Sequence, residues 1–293
     1  MSDILVRGQS IDGAIKVFVG ITTDLVNEAQ KLHSTFPVAT AALGRTLTAA
    51  AIMGQNLKNE TDSITIQFMG DGPLGNIIAV TDYKSQVRGY VVNPFVDIPS
   101  RADGKLDVGS AVGRGQLNVI YDLSLKEPYS GQVPIISGEI AEDLTYYFAK
   151  SDQIPTAMGL GVLVGTDNRA IVAGGFMIQL MPEASEEVAG IIEDRMKEIP
   201  PITKMLEDGM SAEDILFYLT EGFDMIMTNE HITPRYKCKC SKKRMQNAVT
   251  SIGKAELRKI IDEEGKCEVE CQFCNYKYVF DKKALEEMYK KAR

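Results

Sequence analysis

All five cysteines of the 293-residue chain lie in its last fifth: Cys238 and Cys240 in YKCKCSKKRM, and Cys267, Cys271 and Cys274 in CEVECQFCNY. Cys238-x-Cys240 and Cys271-x-x-Cys274 offer four soft sulfur donors in two locally compact pairs, which suits the tetrahedral preference of zinc. Only one long loop has to close, and the helix-patterned SKKRMQNAVTSIGKAELRKIIDEEGK between the pairs can close it. The expectation is one structural-type zinc per chain. Four thiolates around a dication leave a net charge of about −2, which Lys237, Lys239, Lys242, Lys243 and Arg244 would offset. Cys267 is expected to be a non-ligand. CEVECQF alternates as a strand, which sets Cys267 roughly 13 Å from Cys271 at ~3.3 Å per residue. C-x-C is less usual than the paired C-x-x-C knuckles of an ordinary zinc ribbon. Adjacent thiols freed from a metal can pair as disulfides, and bound thiolates can react with oxidants. A redox-labile zinc therefore competes with a purely structural one.

Other chemistry finds little support. GDGPLG (70–75) matches a dinucleotide-binding fingerprint by letter, but GNIIAVTDY after Pro73 reads as a strand rather than the required helix, so a hairpin turn is expected. The two histidines, His33 and His231, have no adjacent nucleophile or acidic orienter and read as surface or domain-edge residues. No hydrolase motif is present, and the chain is not expected to be an enzyme. Arg45 reads as a buried ion pair or a snorkelling side chain. MSDILVRGQSIDG lacks the apolar core of a signal peptide, and no run of about eighteen apolar residues exists, so a cytoplasmic protein with no membrane partner is expected. There thiols stay reduced, and clustered cysteines read as metal or redox groups rather than as a disulfide framework.

These cysteines need elements to hold them. Hydrophobic residues make up 44% of the chain and charged ones 25%, enough for an ordinary core without disulfide staples. Residues 4–22 read as a hairpin about SIDG, followed by a helix capped at Thr23 and a small-residue helix starting at Pro37. Short β-branched runs separated by Gly, Pro and Asp fill 62–137, then a helix ends before Pro155 and two more strands follow. The fold class is α+β: an N-terminal, mostly antiparallel sheet with packed helices, a helical linker and a small C-terminal zinc-binding domain. The expected divisions are 1–180, 181–231 and 232–293. The linker is acidic, amphipathic and rich in Met (181, 196, 205, 210, 225, 227), with a capping box at Ser211 and Asp214. Its apolar face (Ile215, Leu216, Leu219, Phe223) has no partner of its own and must be buried elsewhere. Net charge is −8 but uneven: from His231 onward 16 Lys and Arg face 9 Asp and Glu, and the other 230 residues hold 16 against 31. A basic tail permits nucleic-acid binding, with Tyr236, Phe273, Tyr276 and Tyr278 available for stacking.

The stretches TAALGRT, GPLGNIIA, KLDVGSAVG, SGEIAEDLTYYFAKSDQIPTAMGLGVLV, GGFMIQLMP, CKCSKKR and CQFCNYKYVF run along the whole chain. Together they resemble the 33-kDa heat-shock chaperones, redox-regulated holdases of the bacterial cytosol. The resemblance implies a substrate-binding domain at 1–180, a linker, and a zinc switch. It makes Cys238, Cys240, Cys271 and Cys274 the zinc ligands and implies disulfides Cys238–Cys240 and Cys271–Cys274 after oxidation. Cys267 departs from the four-cysteine pattern. The implied function is ATP-independent protection of unfolding client proteins during oxidative and heat stress, switched on by disulfide formation and zinc release. Oxidised homodimers and transfer of clients to ATP-dependent chaperones are implied as well. The alternative reading is a zinc-ribbon nucleic-acid-binding protein.

Overall fold

Ala, Gly and Thr dominate the run that begins at Pro37, and their small size lets one helix lie between two sheets. In the computed structural model, which describes residues 2–182, 184–228 and 231–292, the chain forms two compact units, Met1–Lys237 and Cys238–Arg293. The first holds β1 (Ile4–Ser10), β2 (Ile15–Ile21), α1 (Thr23–His33), α2 (Pro37–Gly54), β3 (Ser63–Gly70), β4 (Asn76–Asp82) and β5 (Gln86–Val91). It continues through α3 (Val108–Val112), β6 (Gly115–Asp122), β7 (Tyr129–Pro134), α4 (Ala141–Tyr147) with a π-helical turn at Phe148–Asp152, β8 (Thr156–Val164) and β9 (Ala170–Leu180). α5 (Glu186–Glu198), α6 (Ile202–Glu207), α7 (Ala212–Leu219), β10 (Met225–Met227) and β11 (Arg235–Tyr236) complete it.

One sheet has the order β10-β1-β2-β9-β8, the other β11-β5-β4-β3-β6-β7, and all pairings are antiparallel except β11 with β5. α2 packs on strands of both sheets. Leu43, Leu47, Ala50 and Ile52 are fully or almost fully buried, and the hydroxyls of Thr46 and Thr48 return to the carbonyls of Ala42 and Gly44. Arg45 pairs with Glu139 at 2.6 Å, but both side chains are half-buried, so an ion pair forms without the full burial expected of it. GDGPLG forms the β3–β4 connection, as a turn.

Two local expectations change. Position 22, not Thr23, precedes the first turn of α1. The hydroxyl of Thr23 accepts the Ala173 N–H at 3.0 Å, while the carboxylate of Asp3 accepts the N–H groups of Asp24 and Leu25 at 2.8 and 2.7 Å. A carboxylate brought by the neighbouring strand thus does the capping that a local hydroxyl was expected to do. His33 is buried rather than at the surface, with Nε2 3.2 Å from the Tyr236 hydroxyl.

The linker helices lie on the outer face of the five-stranded sheet. Ile202, Met205, Leu206, Ile215, Leu216 and Leu219 pack with Val6, Val17, Val19, Ile21 and Ile178. Glycines in the sheet allow the close approach. A Cβ at Gly174 would lie 2.8 Å from Leu206 Cδ1, and one at Gly161 would lie 2.7 Å from Ile202 Cγ2. The Ser211–Asp214 capping box forms, and the linker ends in β10, paired with β1. Beyond it Ile232 bridges Leu5, and the Tyr236 hydroxyl donates to the Gly89 carbonyl at 2.7 Å, so residues up to Lys237 belong to the first unit. No helix among the described residues is long and apolar enough to cross a membrane.

The second unit holds α8 (Lys242–Thr250), α9 (Lys254–Glu263), β12 (Lys266–Glu270), β13 (Lys277–Asp281) and α10 (Lys282–Lys291). Its small core is built from Val249, Leu257, Ile261, Phe280, Leu285 and Met288.

Candidate metal centre

The antiparallel hairpin of β12 and β13 places Cys271 and Cys274 in its turn. The turn is tight: Cys274 and Asn275 donate their N–H groups to the Cys271 carbonyl, Cys271 donates to the Tyr276 carbonyl, and Asn275 takes the left-handed conformation at φ 55°. Asn is among the few residues with a side chain that tolerate this region. Cys238 and Cys240 come from the segment entering α8. Ser241 caps that helix by accepting the Arg244 N–H, and the Arg244 guanidinium donates to the Lys239 carbonyl at 2.9 Å, which fixes the loop between the two thiols. Cys240 thereby sits next to a helix N-terminus, whose partial positive charge favours thiolate.

The sulfurs of Cys238, Cys240, Cys271 and Cys274 all lie within 4.8 Å of one another. Cys238 and Cys271 are 3.7 Å apart and Cys240 and Cys274 are 3.5 Å apart. Tetrahedral zinc with Zn–S bonds of ~2.3 Å places its sulfurs about 3.8 Å from one another, so the donor set fits that ion. Cys271 is buried and the other three are half-buried. Cys267 is in β12 opposite Phe280, packs against the small core and lies outside the sulfur cluster.

Burial pushes Cys238 well above the ordinary thiol range and Cys274 to about 11. Burial also acts upward on Cys240, but hydrogen bonds from Tyr278 and then from the neighbouring thiols outweigh it and bring Cys240 below that range. The Tyr278 hydroxyl donates to Cys240 Sγ at 3.1 Å. This hydrogen bond was not anticipated from sequence, where Tyr278 read only as a strand residue or a base-stacking aromatic. Its ring meets Tyr276 edge-on, with centroids 4.8 Å apart. Of the basic residues expected to offset the site, Lys242 instead reaches over the Phe280 ring at 6.0 Å.

A family model described as Hsp33 protein matches residues 3–281. The chain is 48% identical over 282 residues to a protein named 33 kDa chaperonin from Clostridium acetobutylicum, covering 96% of this chain and 95% of that one. It is 46% identical over 294 residues to a protein of the same name from Clostridium beijerinckii, covering 100% of both. Among solved structures, that of a 33 kDa chaperonin from Thermotoga maritima superposes with a TM-score of 0.91 at 37% identity, covering 99% of this chain and 98% of the other.

Proposed function

The chain belongs to the Hsp33 family of chaperones, and from that premise we propose that it is a redox-regulated, ATP-independent holdase of the cytoplasm. It would bind unfolding proteins during oxidative and heat stress and pass them to ATP-dependent chaperones. The observation that carries this reading is the cluster of four sulfurs within 4.8 Å in a unit with a small core of its own.

Cys238, Cys240, Cys271 and Cys274 would hold one zinc ion, which when bound ties the two segments together and can contribute ~10–16 kcal/mol to the fold. A unit of this size has little else to replace that term. On oxidation, Cys238 would pair with Cys240 and Cys271 with Cys274. Each thiolate pair gives two electrons to one peroxide molecule, which takes two protons from solvent and leaves as two waters. The second unit then loses its fold, and the restraint on the preceding linker is lost. Release of α6 and α7 would expose their own apolar side chains and the outer sheet face they cover. The oxidised form is proposed to be a homodimer.

The test is light scattering from a heat-unfolding client, with zinc release followed on the same samples by a chromogenic chelator. Reduced protein is expected to protect poorly, and protein treated with peroxide at raised temperature to protect well while losing its zinc. Protection that is equal in both states would overturn the redox reading.

A further inference from the structure

Sheet edges invite pairing with other chains, and folded proteins usually blunt them. Among the described residues, three of the four edges of the large sheets are blunted. β10 has three residues and β11 has two, and β7 ends in Pro134. The fourth, β8, runs for nine residues with sequence TAMGLGVLV, without a charge or a proline, and its one irregularity is confined to Leu163/Val164.

The register shows which backbone groups face outward. Thr156 pairs with Gln179, so Pro155 stands opposite Leu180, and the Leu180 N–H donates to the Pro155 carbonyl at 2.9 Å. Antiparallel pairs alternate between bonded and non-bonded. Ala157, Gly159 and Gly161 therefore bond to β9, while Thr156, Met158, Leu160 and Val162 turn their N–H and C=O groups away from it. Among the described residues none of these outward groups has a hydrogen-bond partner. Thr156, Met158 and Leu160 are half-buried, and beside them runs a groove of about 870 Å³ whose lining includes Leu106, Met158, Leu160, Ile199, Pro201 and Ile202.

We infer that β8 is a client-binding edge, where an extended, uncharged, apolar segment of an unfolding polypeptide adds as a further antiparallel or parallel strand. Main-chain bonds to Thr156, Met158 and Leu160 would give affinity without demanding a sequence, as strand addition does elsewhere. That suits a chaperone whose clients share only exposed backbone and apolar side chains. One wall of the groove, Ile199–Ile202, belongs to the linker, so release of the linker would widen access to the same edge. This inference rests on the client-binding function proposed above.

The experiment uses the full chain, reduced and oxidised, and two fluorescent ten-residue peptides of alternating Val and Thr. One is plain; the other is N-methylated at every peptide nitrogen, so that neither edge can donate. Anisotropy is expected to show binding of the plain peptide, stronger after oxidation, and at least tenfold weaker binding of the methylated one. Met158→Pro removes one outward N–H and leaves the β9 ladder intact, and should weaken plain-peptide binding at least tenfold. Met158→Ala keeps that N–H and should bind at least tenfold tighter than Met158→Pro. Zinc release on oxidation, measured in parallel, should not change in either variant. If Met158→Pro does not melt cooperatively, the peptide pair on wild type decides. Equal binding of the two peptides overturns the proposal. So does an oxidised dimer that Met158→Pro dissociates while plain peptide binds neither form, because the edge then pairs two copies of this chain. A wild type that discriminates the peptides but protects no client in either redox state refutes the holdase reading and leaves the edge standing.

Discussion

Tyr278 does what none of the five cysteines can do for itself: it supplies a fixed hydrogen-bond donor to one sulfur, Cys240 Sγ, at 3.1 Å. A bond to a charged acceptor is worth roughly 1.5–3 kcal/mol, and partners behind a metal ligand typically change affinity 10–100-fold. Tyr278→Phe removes the donor and keeps the ring. It is expected to weaken zinc retention about tenfold in competition with a chelator and, in zinc-loaded protein where Cys240 is a thiolate in either case, to speed its oxidation by peroxide, because a thiolate relieved of a donor is the better nucleophile. Unchanged retention and unchanged oxidation rate together would show the contact to be incidental. The cysteines themselves sort by position. Serine at Cys238, Cys240, Cys271 or Cys274 should lower the zinc content of purified reduced protein. Cys267→Ser should not, since Cys267 faces the small core in β12 and lies outside the sulfur cluster. Metal analysis of the five variants checks this, and a Cys267 variant as poor in zinc as the others would break the ligand assignment.

At the scale of elements, α1 and the linker helices show how packing changes what a residue does. Asp3 caps α1, yet burial pushes its carboxyl up to about 6 against an ordinary 3.8, although the two N–H bonds from Asp24 and Leu25 act downward. The folded state therefore holds a proton that the unfolded chain releases between pH 4 and 6. Asp3 contributes stability at the acid end of that window, and the contribution falls as pH rises through it, by on the order of 2–3 kcal/mol. Asp3→Asn stays neutral throughout. The difference in urea midpoint between wild type and Asp3→Asn should shift in favour of the variant from pH 4 to pH 7, and a constant difference would contradict the assignment. In α7, Leu219 is fully buried against the outer sheet face. Leu219→Asp places a charge there, and destabilisation by several kcal/mol of the docked linker is the expected order. Client protection should then appear at lower peroxide doses. A dose–response that matches wild type would mean that the linker does not gate activity.

Much of this was legible in the sequence, for identifiable reasons. Strands β3 to β9 announce themselves by β-branched runs between Gly, Pro and Asp, and α2 by Pro37 and its small residues. The four clustered sulfurs were readable because short spacing constrains geometry before any fold is known. What the sequence hid depends on partners distant along the chain. Asp3 reaches α1 across a strand, His33 meets Tyr236 some two hundred residues away, and β11 joins β5 in parallel. Tyr278 was visible as a strand residue, but its bond to Cys240 exists only once the hairpin and the loop before α8 come together. The π-helical turn at Phe148–Asp152 follows α4 without a Gly or Pro to mark it.

For the whole molecule, the two units differ in what holds them. The large core around α2 is built from buried residues between Leu5 and Met177, none of which belongs to the linker or the cysteine unit. A fragment of residues 1–180 keeps all of those buried residues, losing only Ile232 and Tyr236 that pack against them, and is expected to melt cooperatively. It also leaves the outer face of the five-stranded sheet, with Val17, Val19 and Ile178, without the helices that cover it, so it should bind a hydrophobic dye far more strongly than the full reduced chain. A fragment of residues 232–293 has only the small core of Val249, Leu257, Ile261, Phe280, Leu285 and Met288. With ~10–16 kcal/mol attributable to metal in sites of this kind, it should show a cooperative melt by circular dichroism with zinc and none after chelation. The same contrast separates the chaperone from a nucleic-acid-binding tail. A zinc-organised binding surface loses RNA when chelated or oxidised, whereas a holdase gains client protection as the same zinc leaves. RNA anisotropy and client light scattering on identical reduced and oxidised samples of the full chain read both. RNA binding that vanishes with zinc, with aggregation unaffected, would turn the assignment to the nucleic-acid reading. Protection that rises as zinc is released, with no RNA bound in either state, keeps it with the chaperone.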